Sequence, residues 1–193
     1  DNSIMPIVIN GSGTVTGLSA GGISNTKAVA SAAMPSGSVI QVVEHALKTA
    51  HVTSTGDQWH DSTLGGAITT QFDDSKVLVD MRMEINNSRY EFIMSGLLYR
   101  GGSVITAANS TANGNRPATW WTVGVHSNDN YDRGNVAALY LDTPGNAGSY
   151  TYNVYVRDYR DNQDLFINRG SYDADSDNAP VGKSTLTLTE IRG

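Results

Sequence analysis

Lys76-Val77-Leu78-Val79-Asp80-Met81-Arg82-Met83-Glu84-Ile85 carries the clearest structural pattern of the chain. From Val79 onward, the apolar Val79, Met81, Met83 and Ile85 alternate with Asp80, Arg82 and Glu84. Successive side chains of a strand point to opposite faces, so a period of two predicts a strand with one face on a core and one in water. The pattern returns twice downstream. Tyr150, Tyr152, Val154 and Val156 alternate with Thr151, Asn153, Tyr155 and Arg157, and the closing Ser184-Thr185-Leu186-Thr187-Leu188-Thr189-Glu190-Ile191 places its apolar residues on one face.

Between these anchors, shorter apolar runs are separated by turn chemistry. Strands are expected over 38–44, 49–54, 67–70, 89–100, 103–107, 119–125, 136–141 and 165–167. Gly56-Asp57 and Asp142-Thr143-Pro144-Gly145 read as turns, and Asn86-Asn87-Ser88 and Gly101-Gly102 read as hairpin connections. About ten strands with no convincing amphipathic helix predict an all-β protein, an antiparallel jelly-roll-like β-sandwich, over 37–193.

Residues 1–36 read differently. Asn10-Gly11-Ser12-Gly13-Thr14-Val15-Thr16-Gly17-Leu18-Ser19-Ala20-Gly21-Gly22-Ile23 carries too little apolar area to offset its own backbone entropy. Ile7, Val8 and Ile9 suggest a short strand ahead of an Asn-Gly hairpin signal, and 27–34 is alanine-rich enough for about two helical turns before Pro35. The expectation is a short Gly-rich N-terminal collar or shaft segment that folds only against neighbouring copies of itself, with a plain linker as the alternative.

Composition excludes several classes. Gly, Ser, Thr, Asn and Asp make up 88 of 193 residues, while Glu and Lys number 4 each. There is no run of about 18 apolar residues, so no membrane insertion is expected. A net charge of −6 without a Lys/Arg cluster lacks the footprint of a nucleic-acid binder. Zero cysteine removes disulfides, thiolate zinc sites and cysteine nucleophiles. The chain starts at Asp1 without a visible signal peptide, and is expected to be a processed chain or a fragment of a longer one.

Catalytic signatures are missing. No Gly-x-Ser-x-Gly or His-Glu-x-x-His occurs, and His45, His51, His60 and His126 are scattered: the first two read as polar-face residues and His60 as a turn residue. Glycoside hydrolysis needs paired carboxylates, but Glu is scarce and most Asp, including Asp57, Asp73, Asp74 and Asp142, sits where an aspartate usually caps its own turn. The run Asp173-Ala174-Asp175-Ser176-Asp177-Asn178 has oxygens at alternate positions, making Asp173, Asp175 and Asp177 candidate calcium ligands. It departs from an EF-hand, with Asn178 at the glycine position and Ser184 where the closing Glu belongs; otherwise no cofactor is expected. If Trp120 and Trp121 both lie on a strand, they point to opposite faces, so at most one joins a given core layer and the other faces solvent, a partner subunit or a ligand. A trimer contact is the favoured role for that one and glycan stacking the alternative. Trp121 is counted as a candidate receptor contact with Tyr131, whose loop also carries Asp129 and Asp132.

The order of motifs carries a resemblance. Pro-Ser-Gly-Ser-Val-Ile-Gln-Val-Val at 35–43, Ile-Thr at 68–69 with Ser-Lys-Val-Leu-Val at 75–79, Leu-Tyr-Arg-Gly-Gly at 98–102, Tyr-Leu-Asp-Thr-Pro-Gly at 140–145 with Tyr-Thr-Tyr-Asn-Val at 150–154, and the closing 184–191 follow one another over some 150 residues. Over roughly 35–192 this resembles the C-terminal β-sandwich of fibre-like virion structural proteins of marine tailed phages. The resemblance implies a homotrimeric virion appendage, assembled in the host cytoplasm and without catalytic residues. It implies attachment to a host, with surface glycans as the ligand class and residues 1–36 meeting other virion proteins. The alternatives are a capsid decoration or head-fibre protein docked on the shell, and a carbohydrate-active enzyme or lectin. No binding residues carry over, because the loops, here 109–116, 128–133 and 172–182, are particular to each protein.

Overall fold

The structure, a computed structural model, describes residues 34–53, 58–87, 91–126, 133–159, 164–172 and 174–193. The chain divides into Asp1–Pro35 and Ser36–Gly193. The expected collar segment up to residue 33, the Gly56-Asp57 turn, the loop bearing Asp129, Tyr131 and Asp132, and Asp173 all lie outside the described residues.

Ser36–Gly193 is all-β, and its described residues form eleven strands in two antiparallel sheets. These are β1 (Val39–Leu47), β2 (His51–Thr53), β3 (His60–Thr70), β4 (Lys76–Asn87), β5 (Glu91–Arg100), β6 (Ser103–Val104), β7 (Trp121–His126), β8 (Gly134–Asp142), β9 (Gly148–Asp158), β10 (Leu165–Ile167) and β11 (Ser184–Ile191). β10 and β11 lie in line along one side of β4, and β2 and β1 lie in line beside them. β6 and β7 share one side of β5 in the same way. The strands therefore make eight rows. Sheet I runs β1/β2, β10/β11, β4, β8, and sheet II runs β3, β9, β5, β6/β7. Counted along the chain, the first row pairs with the eighth, the second with the seventh, the third with the sixth and the fourth with the fifth. That rolled-up pairing is the jelly-roll wiring.

Alternation places the core between the sheets. Val77, Val79, Met81, Met83 and Ile85 of β4 are at most 2% exposed, and Leu186 and Leu188 of β11 are fully buried. Met94 and Leu98 of β5 and Tyr152, Val154 and Val156 of β9 face them from sheet II. Each such side chain contributes about 1.5–3 kcal/mol through burial. In β11 the buried parity continues to Glu190 rather than Ile191. The Glu190 carboxylate accepts from Gln41 Nε2, Gln71 N and Ser75 Oγ, each at 2.6 Å.

Three local expectations are corrected. Asn86 and Asn87 are the buried end of β4, not a hairpin turn, and β4 and β5 belong to different sheets. β3 starts at His60 rather than residue 67, so His60 is a strand residue; a register irregularity between Asp61 and Gly65, with Thr63 at φ 62°, hides the strand's period. His45 packs inward on Gly66, where an added Cβ would meet its ring at 2.1 Å, and its Nε2 lies 3.0 Å from the Ala67 carbonyl. Gly101 and Gly102 form the expected tight turn between β5 and β6, with φ of 56° and 79°, values that favour glycine.

The in-line strands are interrupted by the 48–50 and 168–183 connections, and Asn168 clasps both gaps. It is fully buried at φ 63°, a left-handed conformation that asparagine tolerates better than most residues. Its Nδ2 donates to the Leu47 and Thr49 carbonyls at 2.8 and 3.0 Å, and its Oδ1 accepts from Ser184 Oγ at 2.6 Å. Replacing it with alanine strands two carbonyls, and unsatisfied buried polar groups cost about 1–3 kcal/mol each. Asn168→Ala is expected to lower stability by about 2–4 kcal/mol in urea unfolding; a change within error would show that water satisfies those carbonyls equally well.

Candidate functional site

The same alternation that buries one face of sheet II sets out the other. On β5, Ile93, Ser95, Leu97 and Tyr99 point away from Met94 and Leu98; on β9, Asn153, Tyr155 and Arg157 point away from Val154 and Val156. Tyr99 and Tyr155 stack with ring centroids 4.0 Å apart and planes inclined by 25°. The Arg157 guanidinium lies 4.6 Å from the Tyr159 ring centroid and 5.8 Å from that of Trp59, within cation–π range. Gly65 makes room for this layer, because a Cβ there would lie 2.5 Å from Asn153 Nδ2.

Beside the aromatic layer runs a groove of about 400 Å3. Its floor is Ile93, Ser95 and Thr122, and Tyr159 lines it with Asn115, Arg116 and Pro117. The last three belong to the excursion between β6 and β7. That excursion closes on itself through Ser110 N to Thr119 O at 2.9 Å and reciprocal bonds between Asn113 and Arg116 at 3.1 and 3.0 Å. Gly114 at its tip, φ 58°, makes the reversal possible. Thr122 Oγ1 lies 2.9 Å from Ser95 Oγ and 3.1 Å from Thr119 Oγ1, so three hydroxyls form a chain along the groove. Hydroxyls that each donate and accept, beside an aromatic ring and a guanidinium, suit a polyhydroxylated ligand. Among the described residues lining the groove, the polar groups are hydroxyls, an amide and a guanidinium.

The residues expected at a site are placed elsewhere or lie outside the described set. Trp121 is not a surface contact: it is 7% exposed and turned into the core over Gly96, where a Cβ would meet its ring at 2.1 Å. Its neighbour Trp120 is half-buried and donates from Nε1 to the Leu139 carbonyl at 3.3 Å, joining the sheets at one edge. Asp175 and Asp177 are exposed, and among the described residues no group of three His, Asp or Glu stands close enough to hold a metal. Asp142 does not cap a turn; it is buried at the end of β8 and paired with Arg100. Asp73 reaches across to Ala147 N at 2.9 Å, and Asp74 pairs with Arg192. The groove residues escaped the sequence reading because they come from β5, β7, the end of β9 and the excursion before β7, which meet only in the folded sheet, and Tyr155 and Arg157 of the adjoining aromatic layer were not singled out. An aromatic residue on a solvent-facing parity was the available signal.

Burial first, and the neighbouring Tyr155 second, raise the Tyr99 phenol above its ordinary value. A raised folded value means that Tyr99's contribution to stability is complete below about pH 10 and is lost as pH climbs through the folded value. Ultraviolet titration of Tyr99→Phe is expected to lose a phenol ionising above pH 10; loss of one ionising at or below pH 10 would contradict the placement. No protein-family model and no curated protein matches the chain.

Proposed function

We propose that this chain is a non-enzymatic subunit of a homotrimeric virion appendage, and that it attaches to host-surface glycans through the outer face of sheet II. The observation that carries the attachment reading is the groove beside Tyr159, floored by the Ser95–Thr122–Thr119 hydroxyl chain. The virion setting rests on the motif order over 35–192 and on the jelly-roll sandwich that those motifs build. Residues 1–36 are assigned to contacts with other virion proteins.

Trimer formation is assigned to the outer face of sheet I. One row across that face reads Val42, Thr189, Leu78, Leu141, and the next reads Glu44, Thr187, Asp80, Leu139. Val42, Leu139 and Leu141 are 60%, 63% and 46% exposed, an apolar stripe of the kind that marks association surfaces. Opposite charges beside it, Asp80 with Arg82 and Glu44 with Lys183, suit contact with further copies of the same chain. Light scattering of the full chain is expected to give three times the 20.6 kDa chain mass, and a clean monomer would rule this assembly out.

For attachment, Thr122→Trp fills the groove from an exposed position without touching the core. Purified wild-type chain is expected to adsorb to susceptible host cells and to compete with infection, and Thr122→Trp to weaken adsorption at least about tenfold. Thr69→Trp, exposed on β3 at the far edge of sheet II and outside both the groove and the sheet I face, serves as a control for surface disturbance. Equal adsorption by wild type and Thr122→Trp would remove the groove from the proposal, and absence of adsorption by the wild type would remove attachment itself.

A further inference from the structure

We infer a second saccharide subsite at the end of the sandwich, where Arg100 and Asp142 present a mixed donor–acceptor fork to a neutral sugar ring in a cavity of about 350 Å3. The cavity lies at the opposite end of β5 from Ile93 and does not depend on the sheet II groove.

The inward positions of β5 run Met94, Gly96, Leu98 and then Arg100, so a guanidinium takes a place where the period calls for an apolar side chain. Asp142 meets it from the end of β8, its side chain 5% exposed against 30% for Arg100. Burying such a pair costs desolvation that an apolar pair would not incur, so stability alone gives little reason to keep it. Both bonds to the carboxylate fall on one oxygen: Arg100 Nη1 and Tyr152 Oη, the latter at 2.7 Å, donate to Oδ2. Among the described residues, Oδ1 accepts no hydrogen bond, and the guanidinium meets Oδ2 through Nη1 with the Tyr152 hydroxyl beside it. The guanidinium is held in place by the Tyr150 ring, 5.7 Å from its carbon.

A carboxylate oxygen and guanidinium N–H groups side by side match adjacent sugar hydroxyls, which accept from one and donate to the other. The half-buried Tyr140 offers an aromatic ring in the same cavity, and Ser103, Thr106 and Thr143 line it with hydroxyls. The volume suits a single small ligand. Since Asp142 already neutralises Arg100, the site has no net positive charge to reward a sugar acid, and its free carboxylate oxygen repels one. The ligand class is therefore a neutral pyranose, not a uronic or sialic acid.

The test is an amide chemical-shift titration of the full chain with the methyl glycosides of glucose, galactose and mannose, and with methyl glucuronide as the anionic probe. At least one neutral glycoside is expected to shift Arg100, Tyr140 and Thr143 saturably, while the glucuronide does not. Ala107 is exposed at the cavity rim, so Ala107→Trp plugs it without altering the core and is expected to weaken binding at least tenfold. Arg100→Lys keeps the charge opposite Asp142 but loses the fork, and is expected to weaken binding similarly. Thr122→Trp, which blocks only the sheet II groove, is expected to leave this binding unchanged. The inference is overturned if no neutral glycoside moves those amides, if Ala107→Trp and Arg100→Lys both bind as wild type does, or if the glucuronide binds at least as tightly.

Discussion

The apolar interface between the two sheets fixes where every outward side chain stands. Val77, Val79, Met81, Met83 and Ile85 can all be buried only if β4 keeps one register against β11, β10 and β8. A slip of one residue would turn the whole apolar row outward, so burial specifies register strongly here. The same holds for β5 and β9 in sheet II. Once Met94, Leu98, Val154 and Val156 face inward, Ser95, Tyr99, Tyr155 and Arg157 have to face outward. The aromatic layer and the strand side of the groove are thus consequences of core packing, while Asn115, Arg116 and Pro117 come to the groove from the excursion between β6 and β7.

A two-sheet sandwich leaves open edges, and this one closes them with side chains. Gln41 Nε2 donates to the Thr69 carbonyl at 2.6 Å, and His45 lies against the Ala67 carbonyl, so β1 of sheet I engages the edge strand β3 of sheet II. At the opposite edge Trp120 reaches the Leu139 carbonyl of β8. Asn168 performs the equivalent task inside sheet I, where two connections interrupt the rows. Edge carbonyls occupied in this way are less available as a template for foreign strands. In a fold with no cysteine, such polar stitching stands where a small extracellular domain would use disulfides.

Strong alternation made the fold legible. β4, β9 and β11 read directly from their sequences, and β10 stood out as Leu165-Phe166-Ile167. Where buried positions are polar, the sequence misleads. Asn86, Asn87 and Asp142 carry side chains typical of turns, yet each is buried in a strand, with Asn87 bonded to Asp158 at 2.7 Å and Asp142 paired with Arg100. No local pattern announces a partner about 40 or 70 residues away. β3 was read only from residue 67 because Gly65 and Gly66 and the irregularity before them erase its period. Each of those glycines makes room for a side chain from another strand, Asn153 and His45 respectively. The site was less legible than the fold for the same reason. Ser95, Thr122 and Thr119 form one hydroxyl chain only after β5 and β7 pair, and Arg116 reaches the groove only after its excursion closes on itself. Trp120 lies just ahead of β7 rather than on a strand, so the opposite-face argument does not apply: Trp121 sits in the core over Gly96 of the neighbouring strand, and Trp120 packs against that same core.

The proposed recognition groove combines strand residues of sheet II with the excursion before β7, and the proposed self-association face is on sheet I. A structure of the full chain bound to oligosaccharide fragments of a susceptible host's surface polysaccharide tests both. Sugar rings are expected along the sheet II groove, in contact with Tyr159, Thr122 and Arg116, with the sheet I face occupied by neighbouring subunits. Sugar bound on the outer face of sheet I, or an empty groove at saturating oligosaccharide, would contradict this arrangement.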